Sequence, residues 1–148
     1  MESRKSRTPC PEEQTFLELC RTTDILSRRV SEVLKAEELS PNQYNVLRIL
    51  RGSQEGLPSG EIGNRMITRD PDITRLLDRL EKRGLIRRSR EARDRRLVMA
   101  GITSEGLDLL RRLDEPVREA HRRQLGHLGR ERLGALKELL QVAREKVT

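Results

Sequence analysis

The chain has 148 residues with 37% charged and 34% hydrophobic residues, a net charge of +7, and a single Phe and a single Tyr with no Trp. That length suits one domain, and no stretch approaches the ~20 consecutive apolar residues of a membrane span. Two cysteines, Cys10 and Cys20, are too few for a disulfide framework.

The positive charge is carried mostly by arginine, whose forked guanidinium suits phosphate and guanine. Nucleic acid is therefore the expected partner, with an anionic membrane surface as the competitor. A core with almost no aromatics must be built from Leu, Ile and Val, as in helices packed on helices. So few apolar residues cover a core poorly, which makes a second copy a source of further burial. The N-terminus MESRKSRTPCPEEQ lacks an apolar run after its basic residues and does not read as a secretory signal, implying a cytoplasmic protein.

In chain order, residues 1–10 read as a flexible basic arm. A long helix begins at Pro11, with Glu12 and Glu13 at its positive end. Phe16, Leu19, Cys20, Thr23, Leu26, Val30, Val33 and Leu34 follow steps of three and four, longer than one small domain needs. Cys20 is expected in the core and Cys10 exposed. SPNQYNVLRIL starts a second helix with Ser40 as cap and Pro41 in the first turn. RGSQEGLP breaks it, and Ser59 is expected to cap a short helix facing Ile62 and Met66 inward. A fourth helix over 71–83 has Asp70 as cap, Gly84 as stop, and Ile73, Leu76, Leu77 and Leu80 as its buried stripe.

After Gly84 the pattern becomes strand, polar tip, strand, which predicts a β-hairpin. Two more helices follow, one capped by Thr103 or Ser104 with Leu107, Leu110, Leu113 and Val117 inward. The other starts near Gly129 and carries Leu133, Leu136, Leu139, Leu140 and Ala143. The expected fold is mainly α with a small β-hairpin wing, a winged helix-turn-helix.

The outer face of the fourth helix would read DNA. Arg75 can fork onto guanine, and Thr74 can touch a thymine methyl or a base edge. Arg79, Lys82 and Arg83 would meet phosphates, Arg69 points to the same surface, and Asp72 lies on the same face. The competing reading is a solvated face in which Asp78 pairs with Arg75 or Lys82. In the hairpin, residues 87–96 hold six arginines against Glu91 and Asp94, four net positive charges. Arg90, Arg93, Asp94, Arg95 and Arg96 are the wing candidates for a narrow minor groove. Asp94 is expected to hold the Arg96 guanidinium in a bidentate pair. No nucleophile–base pair or phosphate loop suggests an enzyme. No cofactor or metal is expected, since His121 and His127 stand apart from any ligand cluster.

LSPNQYNVLRIL, ITRLLDRLEKRGLIRR and DRRLVMAGITSEG resemble the MarR-type (multiple antibiotic resistance regulator) winged-helix transcription factors. The wing carries that family's Asp-x-Arg, then Thr and Gly, as Asp94, Arg96, Thr103 and Gly106. Gly101 and Ile102 depart from the commoner Ser-Leu. The resemblance spans about residues 12–145. It implies a homodimer whose helices over 11–39 and 104–148 interleave, each subunit presenting a lobe over 40–103 to a near-palindromic duplex. Such dimers often repress and are released by a small phenolic or lipophilic ligand, a metal or cysteine oxidation.

For a ligand cleft the resemblance points to Phe16, Cys20, Tyr44, Leu47, Leu109 and Leu113, each of which would equally serve as core. Cys10 and Cys20 are both offset from the peroxide-sensing position, near Phe16. The alternative function is a winged-helix RNA-binding or protein-assembly module.

Overall fold

The computed structural model describes residues 7–147. The elements run α1 (Pro11–Lys35), α2 (Pro41–Arg51), β1 (Leu57–Pro58), α3 (Ser59–Arg65), α4 (Ile73–Lys82), β2 (Ile86–Arg90), β3 (Val98–Ile102), α5 (Ser104–Leu125) and α6 (Gly129–Glu145). A single 3-10 turn, Gly126–Leu128, joins the last two helices. Of the expected basic arm, residues 1–6 lie outside the described residues, and 7–10 are exposed without regular structure.

The core is one cluster that draws Leu34 from α1, Tyr44, Val46, Leu47 and Leu50 from α2, and Leu76, Leu77 and Leu80 from α4. Ile62 of α3, Leu57, Ile86 and Ala100 of the sheet, and Leu109, Leu110, Leu113 and Val117 of α5 join it, with Leu39 and Leu85 from the links. α2 forms where its local signals place it. Ser40 makes a full capping box with Gln43, and Pro41 occupies the first turn of α2. Arg51 Nη1 donates to both carboxylate oxygens of Asp114, at 3.0 and 2.9 Å, tying α2 to α5.

Four local expectations are corrected. Ser59 is the first residue of α3, not its cap; Pro58 holds the cap position without a side-chain bond. α4 begins at Ile73, capped by Asp72, whose carboxylate accepts from the Arg75 N–H at 3.0 Å. Asp70, the expected cap, instead accepts from the Asp72 N–H and from Asn42 Nδ2, both at 2.9 Å, which fixes the turn against α2. The sheet has three strands, ordered β1-β3-β2 and antiparallel. β1 hides in a two-residue stretch too short to show alternation. Gly56, at φ +81°, lets that stretch approach β3: a Cβ there would stand 2.7 Å from the Ala100 carbonyl oxygen.

The stripe of α1 behaves differently along its length. Leu34 is buried and Val30 and Val33 pack against the core, but residues 11–25 are exposed throughout, Phe16 to 64%. A 25-residue helix spans roughly 37 Å, and only its second half packs on the core. No residue of α6 is buried, and Leu139 is 68% exposed. Cys20, expected in the core, is therefore exposed like Cys10.

Candidate nucleic-acid interface

α3 and α4 make the helix-turn-helix. Burial of Leu76, Leu77 and Leu80 turns Thr74, Arg75, Arg79 and Lys82 of α4 to solvent, with Arg69 exposed just ahead of them. Two residues of the expected set also make bonds within the chain. Asp72 is occupied as the helix cap. Arg83 donates to the carbonyls of Glu38 and Glu37, at 2.7 and 3.0 Å, and so ties the end of α4 to the chain leaving α1. Asp78 pairs with neither Arg75 nor Lys82; its partner is Arg88.

The six arginines of the basic stretch divide by strand alternation. Arg88 shares the inward face of β2 with Ile86 and is half-buried, while Arg87 is exposed. Arg90 Nη1 donates to the Arg95 carbonyl at 2.7 Å, closing the tip. Arg93, Arg95 and Arg96 stand exposed on the tip between the strands, Arg96 with 95% of its side chain accessible. The expected bidentate Asp94–Arg96 pair is corrected. Residues 94–96 form a turn, so the Asp94 carboxylate accepts from the Arg96 backbone N–H at 3.0 Å. The guanidinium Nε lies 3.6 Å away, beyond hydrogen-bond range. Asp94 thus shapes the backbone of the tip and leaves the guanidinium extended.

Arg88 is the residue that sequence reasoning missed. Its guanidinium bonds Glu81 Oε1 through Nη2 at 3.0 Å and also bonds Asp78, while its backbone N–H donates to Glu81 Oε2 at 2.9 Å. These hydrogen bonds from Arg88 hold the Glu81 carboxyl below its ordinary range. Asp78 and Glu81 of α4 are thus both paired with the wing. The alternation Ile86, Arg88 carried a signal for this, because it put a charge over an acidic helix.

The transcriptional regulator FarR of Neisseria gonorrhoeae is 31% identical over 123 residues, covering 82% of this chain and 83% of FarR. The MarR family model matches residues 39–98, from the end of the α1–α2 link to the start of β3. The chain belongs to the MarR family. A MarR transcription factor from Planctomyces limnophilus is 42% identical, with a TM-score of 0.71 over 92% of this chain and 99% of that one. A MarR-family regulator from Streptomyces coelicolor, solved in complex with DNA, superposes with a TM-score of 0.83 at 26% identity over 97% of this chain and 92% of its own. These relatives are transcriptional regulators, not enzymes.

This MarR-family chain does not bring together the six residues considered for a ligand cleft. Leu47, Leu109 and Leu113 are core, and Phe16 and Cys20 lie on the exposed half of α1. Tyr44 alone of the six lines an apolar cavity of about 380 Å³ between α1, α2 and α5, with Leu26, Val30, Arg48, Ile67 and Leu125. Burial raises the Tyr44 hydroxyl above its ordinary value, and Arg48 lies 5.8 Å from its ring centroid. His121 also borders this cavity, whereas His127 sits in the 3-10 turn. Among the described residues no group of three or more His, Cys, Asp or Glu is placed to hold a metal, and no helix is long and apolar enough to cross a membrane.

Proposed function

We propose that this chain is a sequence-specific, homodimeric repressor of transcription that binds a near-palindromic duplex. The observation that carries this reading is that the exposed DNA-contact candidates fall into two adjoining sets. Thr74, Arg75, Arg79 and Lys82 stand exposed on one helix, and Arg93, Arg95 and Arg96 stand exposed on an adjoining wing tip. A helix of that kind fits the major groove, and guanidinium groups on a wing fit the flanking minor groove. In this reading Arg75 reads a base edge, while Arg69, Arg79, Lys82 and the wing arginines, Arg90 among them, supply the phosphate and groove contacts.

The dimer is supported by the apolar residues left uncovered. Phe16 and Ile25 on α1 and Leu136, Leu139 and Val142 on α6 are all exposed in a single chain, and a second copy removes them from water. The helices over 11–39 and 104–148 then form the dimer region, and 40–103 the DNA-binding lobe. Repression follows from occupancy of promoter DNA, and the cavity beside Tyr44 provides space for a small effector that releases the dimer.

Selection of bound duplexes from a random pool at near-physiological salt tests this, with the mass of the complex measured alongside. Two chains on an inverted repeat, with half-sites about one helical turn apart, is the expected result. Absence of any enriched duplex would move the protein to the RNA-binding or assembly class.

A further inference from the structure

We propose that Arg88 is a positioning residue that sets the wing at a fixed angle to the reading helix, with Asp78 and Glu81 as its anchors. The inference rests on the DNA-binding reading and deepens it by saying how two separate contact elements act as one. α4 carries the base-reading side chains and the hairpin carries the groove-entering ones, so their mutual angle decides whether both can engage one duplex at once.

The geometry at Arg88 is that of a clamp. β2 is an edge strand of the sheet, so backbone groups on its outer side lack a strand partner. Glu81 supplies one: its Oε2 accepts the Arg88 N–H at 2.9 Å. The same carboxylate binds the Arg88 guanidinium through Oε1, and Asp78, one helical turn earlier on α4, binds Nη2. The Arg88 side chain is only 21% exposed, while Asp78 and Glu81 are 46% and 39% exposed. One strand residue thus makes backbone and side-chain bonds to two helix residues a single turn apart. Such a planar fork loses little freedom for each bond formed.

The clamp also accounts for acids on a surface that faces phosphate. Unpaired, Asp78 and Glu81 would repel DNA; paired, they are offset by a guanidinium that is itself withdrawn from DNA. Two opposite outcomes therefore separate positioning from simple charge. If the acids merely oppose DNA, removing them strengthens binding, because fewer negative charges face the duplex. If they hold the wing through Arg88, removing them weakens specific binding despite the gain in positive charge.

The test uses the full chain carrying D78N and E81Q together, which keeps side-chain size, and Arg88→Ala beside Arg88→Lys. Thermal melts establish that each variant folds. The expected result for D78N/E81Q is about tenfold weaker binding to the selected duplex, with loss of minor-groove protection at the flanks and unchanged base preference under α4. Affinity for non-specific duplex stays level or rises. Arg88→Lys restores part of the flank protection that Arg88→Ala loses, since an ammonium reaches the acids without the fork.

Tighter specific binding by D78N/E81Q with intact flank protection would overturn the proposal. Amide exchange on the free chain decides the same point without DNA. Faster exchange across residues 86–102 in D78N/E81Q supports the clamp, and unchanged exchange there overturns it. Should the unmodified chain discriminate no duplex at all, the DNA-binding reading fails, and the amide-exchange result on Arg88 stands apart from it.

Discussion

Gly106, in the first turn of α5, lies against the carbonyl oxygen of Leu85 at the entry to β2, with less than 3.0 Å left for a Cβ. Ile102 Cγ1 crowds the same space. Thr103 completes the junction: its N–H donates to the Leu85 carbonyl at 3.1 Å and its hydroxyl to the Gly84 carbonyl at 2.6 Å. That hydroxyl also accepts the Gly106 N–H at 3.1 Å. The Thr and Gly that accompany Asp94 and Arg96 in the family pattern are thus a structural joint between wing and α5.

Gly106→Ala is expected to destabilise the fold by about 1–3 kcal/mol, because the opposing atoms include a backbone carbonyl that must shift. Urea titration measures it. Gly101→Ala is the control, since open space surrounds that position. Equal midpoints for the two variants would show that the close approach is relieved at no cost.

Thr103→Val keeps the shape of the side chain but removes both hydroxyl bonds, one of them the cap of α5. A loss of about 1–2 kcal/mol is expected, and Thr103→Ser should recover most of it. The same titration reads both.

Arg75→Ala and Arg96→Ala should differ in kind. Loss of the helix arginine is expected to cost about 1–3 kcal/mol per half-site and to relax preference at one or two base positions. Loss of the wing arginine is expected to weaken all duplexes and to lower the salt slope by about 1 per half-site. Competition binding over several salt concentrations separates them. Uniform weakening by Arg75→Ala would remove it from base reading.

Leu139→Glu puts a charge on the exposed apolar face of α6. The expected outcome in sedimentation is a shift from two chains to one, with loss of preference for inverted repeats. A mass of two chains in the variant would place the dimer contact elsewhere.

Asp114 gives the pH dependence. Arg51 donates two bonds to its carboxylate and holds it below the ordinary value of 3.8. The folded state therefore binds this proton less readily than the unfolded chain. The contribution to stability is whole above 3.8 and is lost as pH falls through the depressed folded value. Urea midpoints measured between about pH 6 and 3 should fall on the acid side, and Asp114→Asn should flatten that fall while lowering the midpoint at neutral pH.

Much was legible in the residues themselves. The stripe Leu76, Leu77, Leu80, the Ser40 cap, the stop at Gly84 and the alternation after Ile86 are local signals, governed by helix and strand periods and by a few backbone bonds. They sufficed for the order of the helices and the hairpin, though not for β1, and for the winged-helix class. The tertiary structure decided which charges remain available for a partner. Arg83 faces the carbonyls after α1, Arg88 faces α4, and Asp94 turns its carboxylate onto the backbone of the tip. Nothing local distinguishes these from Arg75 or Arg93, because a charged side chain is claimed by whichever oppositely charged or unpaired backbone group the fold brings beside it. The same holds for burial. The apolar period of α1 is continuous from Phe16 to Leu34, yet only its second half meets α5 within one chain, since the period records that a face will be covered and the packing decides by what.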